Sequence, residues 1–448
     1  MPVSMIDSAI FRDFFGTEDM RSIFSDKGVL GSYCRVEGAL AIVQGRLGLI
    51  PQEAADAIAA AAKYENLDLD AIREQTQIVG YPILPLVRAI GKACPDRLGE
   101  FTHWGATTQD IMDSGLALQL KAAFDIIQAE LDKLAASLAK LAVKHRDSVM
   151  AGRTHLQHAL PVTFGYKAGV WLSAVDRHRE RLVQLRPRVE LGQFAGAAGT
   201  LASLGDDGLA VSDALMVELG LVRPSMPWHV ARDGVAEAVN FLGLVSGTLS
   251  KIATDIMLLM ATETGEAFEP FVPGRGGSST MPQKRNPISC ELILGAGKVI
   301  RQHSVVVMDA MAADFERATG PWHAEWIAVP EAFVLSAGVL AQANFMIAGL
   351  QVQPERMRRN LDMTGGLIVS EAVMMGLAPA LGRNTAHDMV YDACMMANEQ
   401  GLSLLEALKK SPEIAGKLPD AELESLCDPV NHLGQAREML DRFLVERE

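Results

Sequence analysis

The longest regular pattern of apolar residues runs from Leu116 to Leu141. Apolar side chains recur there at spacings of three or four, which places them on one face of a single helix. The residues of this stripe are Leu116, Leu120, Phe124, Ile127, Leu131, Leu134, Leu138 and Leu141. A helix of this length is long for a globular protein and is typical of a helical bundle.

Further long segments are free of proline and predict uninterrupted helices, at residues 163–186, 230–262, 290–311 and 331–350. Together with the first stripe they predict an all-α fold built on a bundle. The segment 252–260 is apolar on more than one face, and such a helix must be covered on all sides. We therefore expect helices of several subunits to pack into a common core, with a large monomeric core as the alternative.

The regions that flank the long helices are broken into shorter pieces. Glycine, proline and polar turns punctuate the chain up to about Phe101, and turns recur after Pro354. The pattern predicts three domains: an N-terminal helical domain (1–109), a central long-helix bundle (110–353) and a C-terminal helical domain (354–448).

Composition narrows the class of protein. Of the 448 residues 49% are apolar but only 6% aromatic, which favours helix packing over a sheet sandwich. The net charge of −14 argues against a nucleic-acid partner, although a locally basic pocket can still bind a small anion. We expect no membrane span and no signal peptide. The five cysteines are scattered without a CxxC pair, which predicts reduced thiols and a cytoplasmic location.

The segment from Gly274 to Pro287 reads GRGGSSTMPQKRNP and is the strongest candidate for chemistry. Glycines and paired serines before a predicted helix form a mobile loop whose backbone N–H groups can surround an anion. Lys284 and Arg285 add positive charge, and Asn286 adds an amide. The GxxxxGK[ST] spacing of a phosphate-binding loop is absent. A flexible surface turn is the alternative.

Two other polar blocks stand out, FTHWGATTQD at residues 101–110 and GRTHLQHA at residues 152–159. Taken alone, the first predicts a loop that caps a helix beginning near Asp110. His155 and His158 have the spacing of a metal pair, but no nearby Glu or Cys completes a site, so we predict no metal. The glycine-rich segment 192–205 lacks the strand and acidic residue of a dinucleotide site, so we predict no cofactor.

The run GSSTMPQKRNP resembles the signature of the fumarase/aspartase superfamily, which is close to GSSxMPxKxNP. The likeness covers nearly the whole chain. Segments 314–326, 360–368 and 428–434 are most similar to the 3-carboxy-cis,cis-muconate cycloisomerase and adenylosuccinate lyase-like branch. The resemblance implies an enzyme that forms or breaks a bond beside a carboxylate, through a doubly charged aci-carboxylate that preorganised donors must stabilise.

The resemblance also implies residue roles. Ser278 is expected to be the general base, its proton drawn away by the positive field of Lys284, while His155 orients a carboxylate or protonates the leaving group. The expected substrate-binding residues are His103, Thr107, Thr108, Gln157, Ser279, Met281, Asn286 and Arg317. For Arg317, structural pairing with Glu316 or Glu325 is an open alternative. The family pattern further implies a homotetramer whose sites combine three subunits around a small dicarboxylate or polycarboxylate substrate.

Two departures from the resemblance bear on the reaction. Bacterial lactonising enzymes of this family typically carry Trp at the position of His155 and His at the position of Gln283. In having Gln at residue 283, this chain resembles the argininosuccinate lyases instead. Both favour a lyase that cleaves a C–N bond by β-elimination and releases fumarate from an N-substituted aspartate, such as an aminopolycarboxylate. The alternatives are a 3-carboxymuconate-type cycloisomerase and a non-catalytic packing protein, the latter opposed by the presence of Ser278, Lys284 and His155.

Overall fold

The computed structural model describes residues 4–414 and 416–447, and its regular structure is mostly helical. The α-helices are α1 Arg12–Phe15, α2 Glu18–Phe24, α3 Asp26–Arg46, α4 Gln52–Ala61, α5 Leu69–Val79, α6 Ile83–Ala93, α7 Thr108–Lys144, α8 Phe164–Val189, α9 Gly208–Leu219, α10 Asp233–Met260, α11 Ile288–Asp309, α12 Pro321–Ala348, α13 Pro354–Leu361, α14 Ser370–Leu381, α15 Arg383–Gln400, α16 Leu404–Lys410, α17 Asp420–Cys427 and α18 Ala436–Arg447. The all-α prediction is confirmed.

The long helices coincide with the predicted segments. The apolar stripe lies on α7, where Phe124, Leu131 and Leu138 are fully buried. Helix α12 differs from the prediction, because it begins at Pro321 and continues through Pro330 rather than starting at residue 331. A proline removes one backbone hydrogen bond, and burial of most of the helix beyond it offsets that loss.

One compact unit consists of residues 4–132, 177–250 and 292–342. Its core forms where α3 packs against α4 and α9, and the side chains of Leu40, Ile58, Leu86, Ile90, Ile111, Val211 and Leu215 are at most 1% exposed. Phe124 of α7 meets Phe333 of α12 edge to face, with ring centroids 5.1 Å apart. These contacts fix the start of α7, which carries part of the candidate site.

The other compact unit consists of residues 133–176, 251–291 and 343–447 without residue 415. Helices α14 and α15 pack together around Val373, Leu377 and Val390. The strands β1 (Val149–Thr154) and β2 (Gln157–Thr163) form an antiparallel hairpin with an irregularity between Ala151 and Arg153. A second short pair joins β3 (Ala267–Phe268) to β4 (Gln351–Val352). The predicted division at residues 109 and 353 is a different partition and stays a prediction.

Helices α10 and α12 are long and apolar enough, by length and composition alone, to cross a membrane. The sequence analysis did not expect this, because it required windows without charge, and Lys251 and Asp255 interrupt α10. In the structure 50% of the most apolar window of α10 and 67% of that of α12 are buried inside the protein. The apolar surface of these helices is therefore largely used in packing, and the absence of a membrane partner stays a prediction.

Candidate active site

His155 occupies the tip of the β1–β2 hairpin. The strands are joined by a two-residue turn in which His155 and Leu156 have φ angles of 52° and 63°, and Thr154 pairs with Gln157 across it. Positive φ at both central positions defines a type I′ turn, which favours Asn and Gly. Holding two bulkier residues in this region stores strain, as is common at functional positions. The imidazole of His155 is exposed at the end of the hairpin.

Next to its tip, the same hairpin is held by a partly buried ion pair. Arg153 donates to both carboxylate oxygens of Glu266, at 2.9 and 2.6 Å, and Asn360 donates to Glu266 Oε1 at 2.6 Å. Glu266 is fully buried. Across the hairpin, burial and the charge of Arg153 lower the pKa of His158. His158 thus lies opposite Arg153 in the hairpin, and the prediction of no metal stays a prediction.

Ser278 lies in the loop between β3 and α11 and is held by backbone donors. Its Oγ accepts from the N–H of Thr280 at 3.2 Å and from that of Met281 at 3.0 Å. The loop closes on itself where Asn286 N–H donates to Gly276 O at 2.9 Å. Gly276 has φ 68°, and a Cβ there would lie 2.7 Å from Asn286 O, so the closure requires glycine. Donors aimed at Oγ favour negative charge on that oxygen, which suits a base.

The loop is anchored at its base and open at its centre. Arg285 donates to Glu269 O at 2.9 Å, and its guanidinium lies 5.2 Å from the Phe271 ring centroid. The buried Glu269 carboxylate caps α11 by accepting from the N–H groups of Ser289 (3.2 Å) and Cys290 (2.9 Å). Arg285 is therefore an anchor rather than an anion ligand. By contrast, Ser279, Met281 and Lys284 are exposed.

A second set of candidates surrounds the start of α7. Thr108 is its first residue, and Thr107 occupies the capping position, where its N–H donates to Asp110 Oδ2 at 3.0 Å. His103 precedes them with φ 66°, and its Nδ1 lies 2.6 Å from Glu37 Oε1. Because a helix N-terminus carries partial positive charge and free N–H groups, this region can bind a carboxylate.

Asp110 is the buried centre of this region. Its Oδ1 accepts from Ala195 N–H and its Oδ2 from Gly196 N–H, each at 2.9 Å, and His229 Nε2 lies 2.8 Å from Oδ1. The glycine-rich segment rejected as a dinucleotide site thus wraps around the carboxylate that caps α7. The sequence analysis treated Asp110 only as a helix boundary. Its place in the block FTHWGATTQD was the available signal.

Arg317 belongs to the same region. Its Nη2 donates to Ala197 O at 2.9 Å, directly after the backbone that binds Asp110. The alternative was structural pairing with Glu316 or Glu325, and Glu325 forms an ion pair with Arg232 at 2.5 Å. Arg232 also pairs with Asp113 at 2.8 Å, and all three side chains are at most 2% exposed.

A cavity of about 300 Å³ opens in the same unit beside these buried charges. Its walls come from several helices and are mostly apolar, and they include Phe24, Tyr33, Met112, Asp113, Leu116, Trp322, Glu325 and Trp326. Two wall residues are near the helix-group candidates in the sequence. Met112 lies one turn along α7 from Thr108, and Trp322, the second residue of α12, is five residues after Arg317. The space is large enough for the substituent of a small carboxylate substrate.

The candidates therefore fall into two groups, each within one compact unit. The hairpin group comprises His155, Gln157, Ser278, Ser279, Met281, Lys284 and Asn286. The helix group comprises His103, Thr107, Thr108 and Arg317. Sequence reasoning missed Glu37, Glu269 and the full role of Asp110, because buried carboxylates far apart in the chain leave no local pattern.

Comparison with known protein families decides the affiliation of this chain. The model of the lyase family matches residues 17–301, and that of the adenylosuccinate lyase C-terminus matches residues 366–443. The chain belongs to the fumarate lyase superfamily, also called the fumarase/aspartase superfamily. It is an enzyme of that superfamily, with muconate cycloisomerase-like and adenylosuccinate lyase-like features. The resemblance inferred from GSSTMPQKRNP is confirmed.

Several relatives cover almost the whole chain. It is 47% identical over 432 residues to trans-aconitate decarboxylase 1 of Mycosarcoma maydis, covering 96% of this chain and 88% of the relative. It is 45% identical over 440 residues to 3-carboxy-cis,cis-muconate cycloisomerase of Pseudomonas aeruginosa, covering 98% and 96%. It is 38% identical over 444 residues to N-acetyl-S-(2-succino)cysteine lyase of Dickeya dadantii, covering 99% and 98%.

Among solved structures, the crystal structure of fumarate lyase from Mesorhizobium sp. BNC1 is similar, with a TM-score of 0.91 and 51% identity. The match covers 96% of this chain and 98% of that one. The relatives thus share the superfamily and the fold, while their names describe different reactions on carboxylate substrates.

Proposed function

We propose that this enzyme cleaves a C–N bond of an N-substituted aspartate by β-elimination and releases fumarate and an amine. The observation that carries the proposal is His155, an exposed imidazole on a strained turn. The resemblance described under Sequence analysis implies Trp at this position in the lactonising enzymes. An imidazole can deliver a proton near neutral pH, whereas an indole cannot. An amine is a poor leaving group until its nitrogen is protonated, so this elimination requires a general acid.

In this mechanism Ser278 removes the proton from the carbon beside the carboxylate, assisted by the N–H groups of Thr280 and Met281. Charge develops on the carboxylate as an aci-carboxylate, which Lys284 and Asn286 stabilise. The electron pair then forms the C=C bond, and the C–N bond breaks. The departing nitrogen keeps its bonding electrons and takes a proton from His155. Fumarate and the free amine result, so atoms and electrons balance.

The helix group, which lies in the other compact unit, has the donors that bind a carboxylate of such a substrate. The N-terminus of α7 with Thr107 and Thr108 offers N–H and hydroxyl donors for the second carboxylate. Arg317 adds a cation beside them. The apolar cavity of about 300 Å³ in the same unit has room for the substituent on the substrate nitrogen. The Dickeya relative supports elimination from a succinyl framework, since its name describes a lyase acting on an S-(2-succino) compound.

A lactonising cycloisomerase reaction is the second candidate. It is favoured by the 45% identity to the Pseudomonas aeruginosa cycloisomerase over nearly the full length. The same residues would serve it, because lactonisation also passes through charge beside a carboxylate. The two reactions differ in the leaving group, to which the proposed elimination requires His155 to give a proton.

The test is turnover with a panel of N-substituted aspartates, followed by the ultraviolet absorbance of fumarate. Loss of 3-carboxy-cis,cis-muconate is followed in a parallel series, and amine release is measured to confirm the stoichiometry. We expect fumarate from at least one aspartate and a strong loss in His155→Trp. Lactone formation without any fumarate release overturns the proposal in favour of the cycloisomerase.

We also propose a cytoplasmic homotetramer in which each site takes residues from three subunits. Exposed apolar side chains on the long helices support a multi-subunit core, among them Val143, Val170, Val183, Leu244, Val299 and Val305. Light scattering measures the mass. Mixing inactive His155→Ala with inactive Thr108→Ala chains tests the sharing, because hybrid tetramers then recover some sites with both residues intact.

A further inference from the structure

Glu37 is a buried carboxylate that no local pattern singled out. It lies in α3, its side chain has no exposed surface, and Oε1 lies 2.6 Å from His103 Nδ1. Its other oxygen, Oε2, is buried and has no hydrogen-bond partner within the described part of the chain. An ionised carboxylate is expensive to bury without a partner. The contact with the His103 ring therefore offsets part of the cost of burying the Glu37 carboxylate.

The backbone places the His103 ring with unusual firmness. His103 has φ 66°, a conformation that a bulky residue adopts only when its surroundings impose it. Gln44 of α3 donates to Trp104 O at 2.7 Å, and Gly105 packs against Leu204. The His103 side chain keeps 21% of its surface exposed. Since Nδ1 faces Glu37, the donor left for a ligand is Nε2–H.

Two carboxylates act on the charge of this ring. Burial opposes a charged imidazole, but Glu37 of α3 and Asp110 of α7 outweigh it and raise the pKa of His103 above its ordinary value. Asp110 is shared with His229 and with the N–H groups of Ala195 and Gly196, whereas Oε1 of Glu37 faces His103 directly. Glu37 is thus the carboxylate in direct contact with the ring.

We propose that Glu37 is a positioning residue that keeps His103 a cationic donor, with Nε2–H directed to a carboxylate of the substrate. The part that concerns the substrate rests on the proposed function, whereas the state of the imidazole does not. Because His103 precedes Thr107 and the N-terminus of α7, the same end of the site gains a full positive charge as well as helix donors. Glu37 itself need not touch the substrate.

The first measurement follows the His103 ring by NMR of the full-length protein with isotope-labelled histidine, assigned with His103→Gln. We expect the ring to titrate at higher pH in the wild type than in Glu37→Gln. This readout needs no substrate, so it remains decisive even if no aspartate of the panel is turned over. A His103 ring that titrates at the same pH in both proteins overturns the inference.

The second measurement is the pH profile of kcat/KM, on whichever substrate the wild type turns over. A raised pKa keeps His103 charged at neutral pH, and removal of Glu37 lets that charge be lost at lower pH. We expect the alkaline limb to move to lower pH in Glu37→Gln. For a pKa change of roughly one unit, KM should rise by up to about ten-fold at pH values above both pKa values and by less at neutral pH, with kcat changed less.

Two variants distinguish a positioning role of Glu37 from a purely structural role. In the His103→Gln background, Glu37→Gln is expected to cause no further shift of the alkaline limb. Glu37→Asp, which keeps the charge, is expected to restore part of the shift and covers the case in which Glu37→Gln does not fold. If Glu37→Gln only lowers the melting temperature and leaves the alkaline limb unmoved, Glu37 is a structural tie and the inference is wrong.

Discussion

The hairpin group and the helix group differ in how their side chains are held. His155 and Ser278 sit on a tight turn and a loop, their positions set by backbone conformation and a few N–H donors. His103 and Thr107 are instead supported by Glu37 and Asp110, both at most 1% exposed. Exposed loops can move during a reaction cycle, whereas buried charges keep fixed positions. This difference supports our proposal that His155 and Ser278 of the hairpin group transfer protons, whereas the helix group binds a carboxylate.

The largest effect is expected from Ser278→Ala. Loss of a general base typically costs on the order of 10²–10⁴ in rate, so we expect turnover to fall by about 10³-fold while the fold is unchanged. Steady-state kinetics and a melting curve measure the two quantities. Ser173→Ala on α8 is the matched control, since this half-buried serine donates to Val170 O of its own helix, at 2.9 Å, and it should leave turnover unchanged. Near-normal activity in Ser278→Ala removes the serine from its role as the base.

The next effect concerns the buried charges beneath the helix group. Arg232→Met leaves Asp113 and Glu325 buried without their cation, and breaking such a pair typically costs about 3–5 kcal/mol of unfolding free energy. Urea denaturation measures the change. Arg442→Met is the control, because its pair with Glu446 is exposed and should contribute no more than about 0.5 kcal/mol. Equal losses of unfolding free energy in the two variants would show that the buried pairs of Arg232 contribute no more to stability than an exposed pair.

The smallest effect is expected at the hairpin tip. Leu156 has φ 63° and is 74% exposed, and Asn tolerates this left-handed conformation better. Leu156→Asn should therefore raise the unfolding free energy by roughly 0.5 kcal/mol, as measured by urea denaturation, with His155 retained. A loss of stability instead would mean that the Leu156 side chain is covered in the assembled enzyme, and that the turn is held by packing.

The sequence pattern was sufficient to predict a feature when the residues that determine it are close together in the chain. The stripe of α7 requires only residues three and four apart, and GSSTMPQKRNP identifies the family without reference to any other segment. The hairpin was missed because His155 and Leu156 are not the Asn-Gly pair that marks a type I′ turn. The start of α12 was placed too late because Pro330 was taken as a boundary, whereas surrounding contacts hold the helix through it.

What the sequence determined by itself is thus the helical class, the long helices and the superfamily to which the chain belongs. Only the tertiary structure decided that Glu37 faces His103, that Asp110 binds the backbone of Ala195 and Gly196, and that Glu325 pairs with Arg232. The physical reason is that periodicity reports which face of an element is buried. It does not report which distant carboxylate a buried cation will meet, and that choice sets the charge and position of the binding groups.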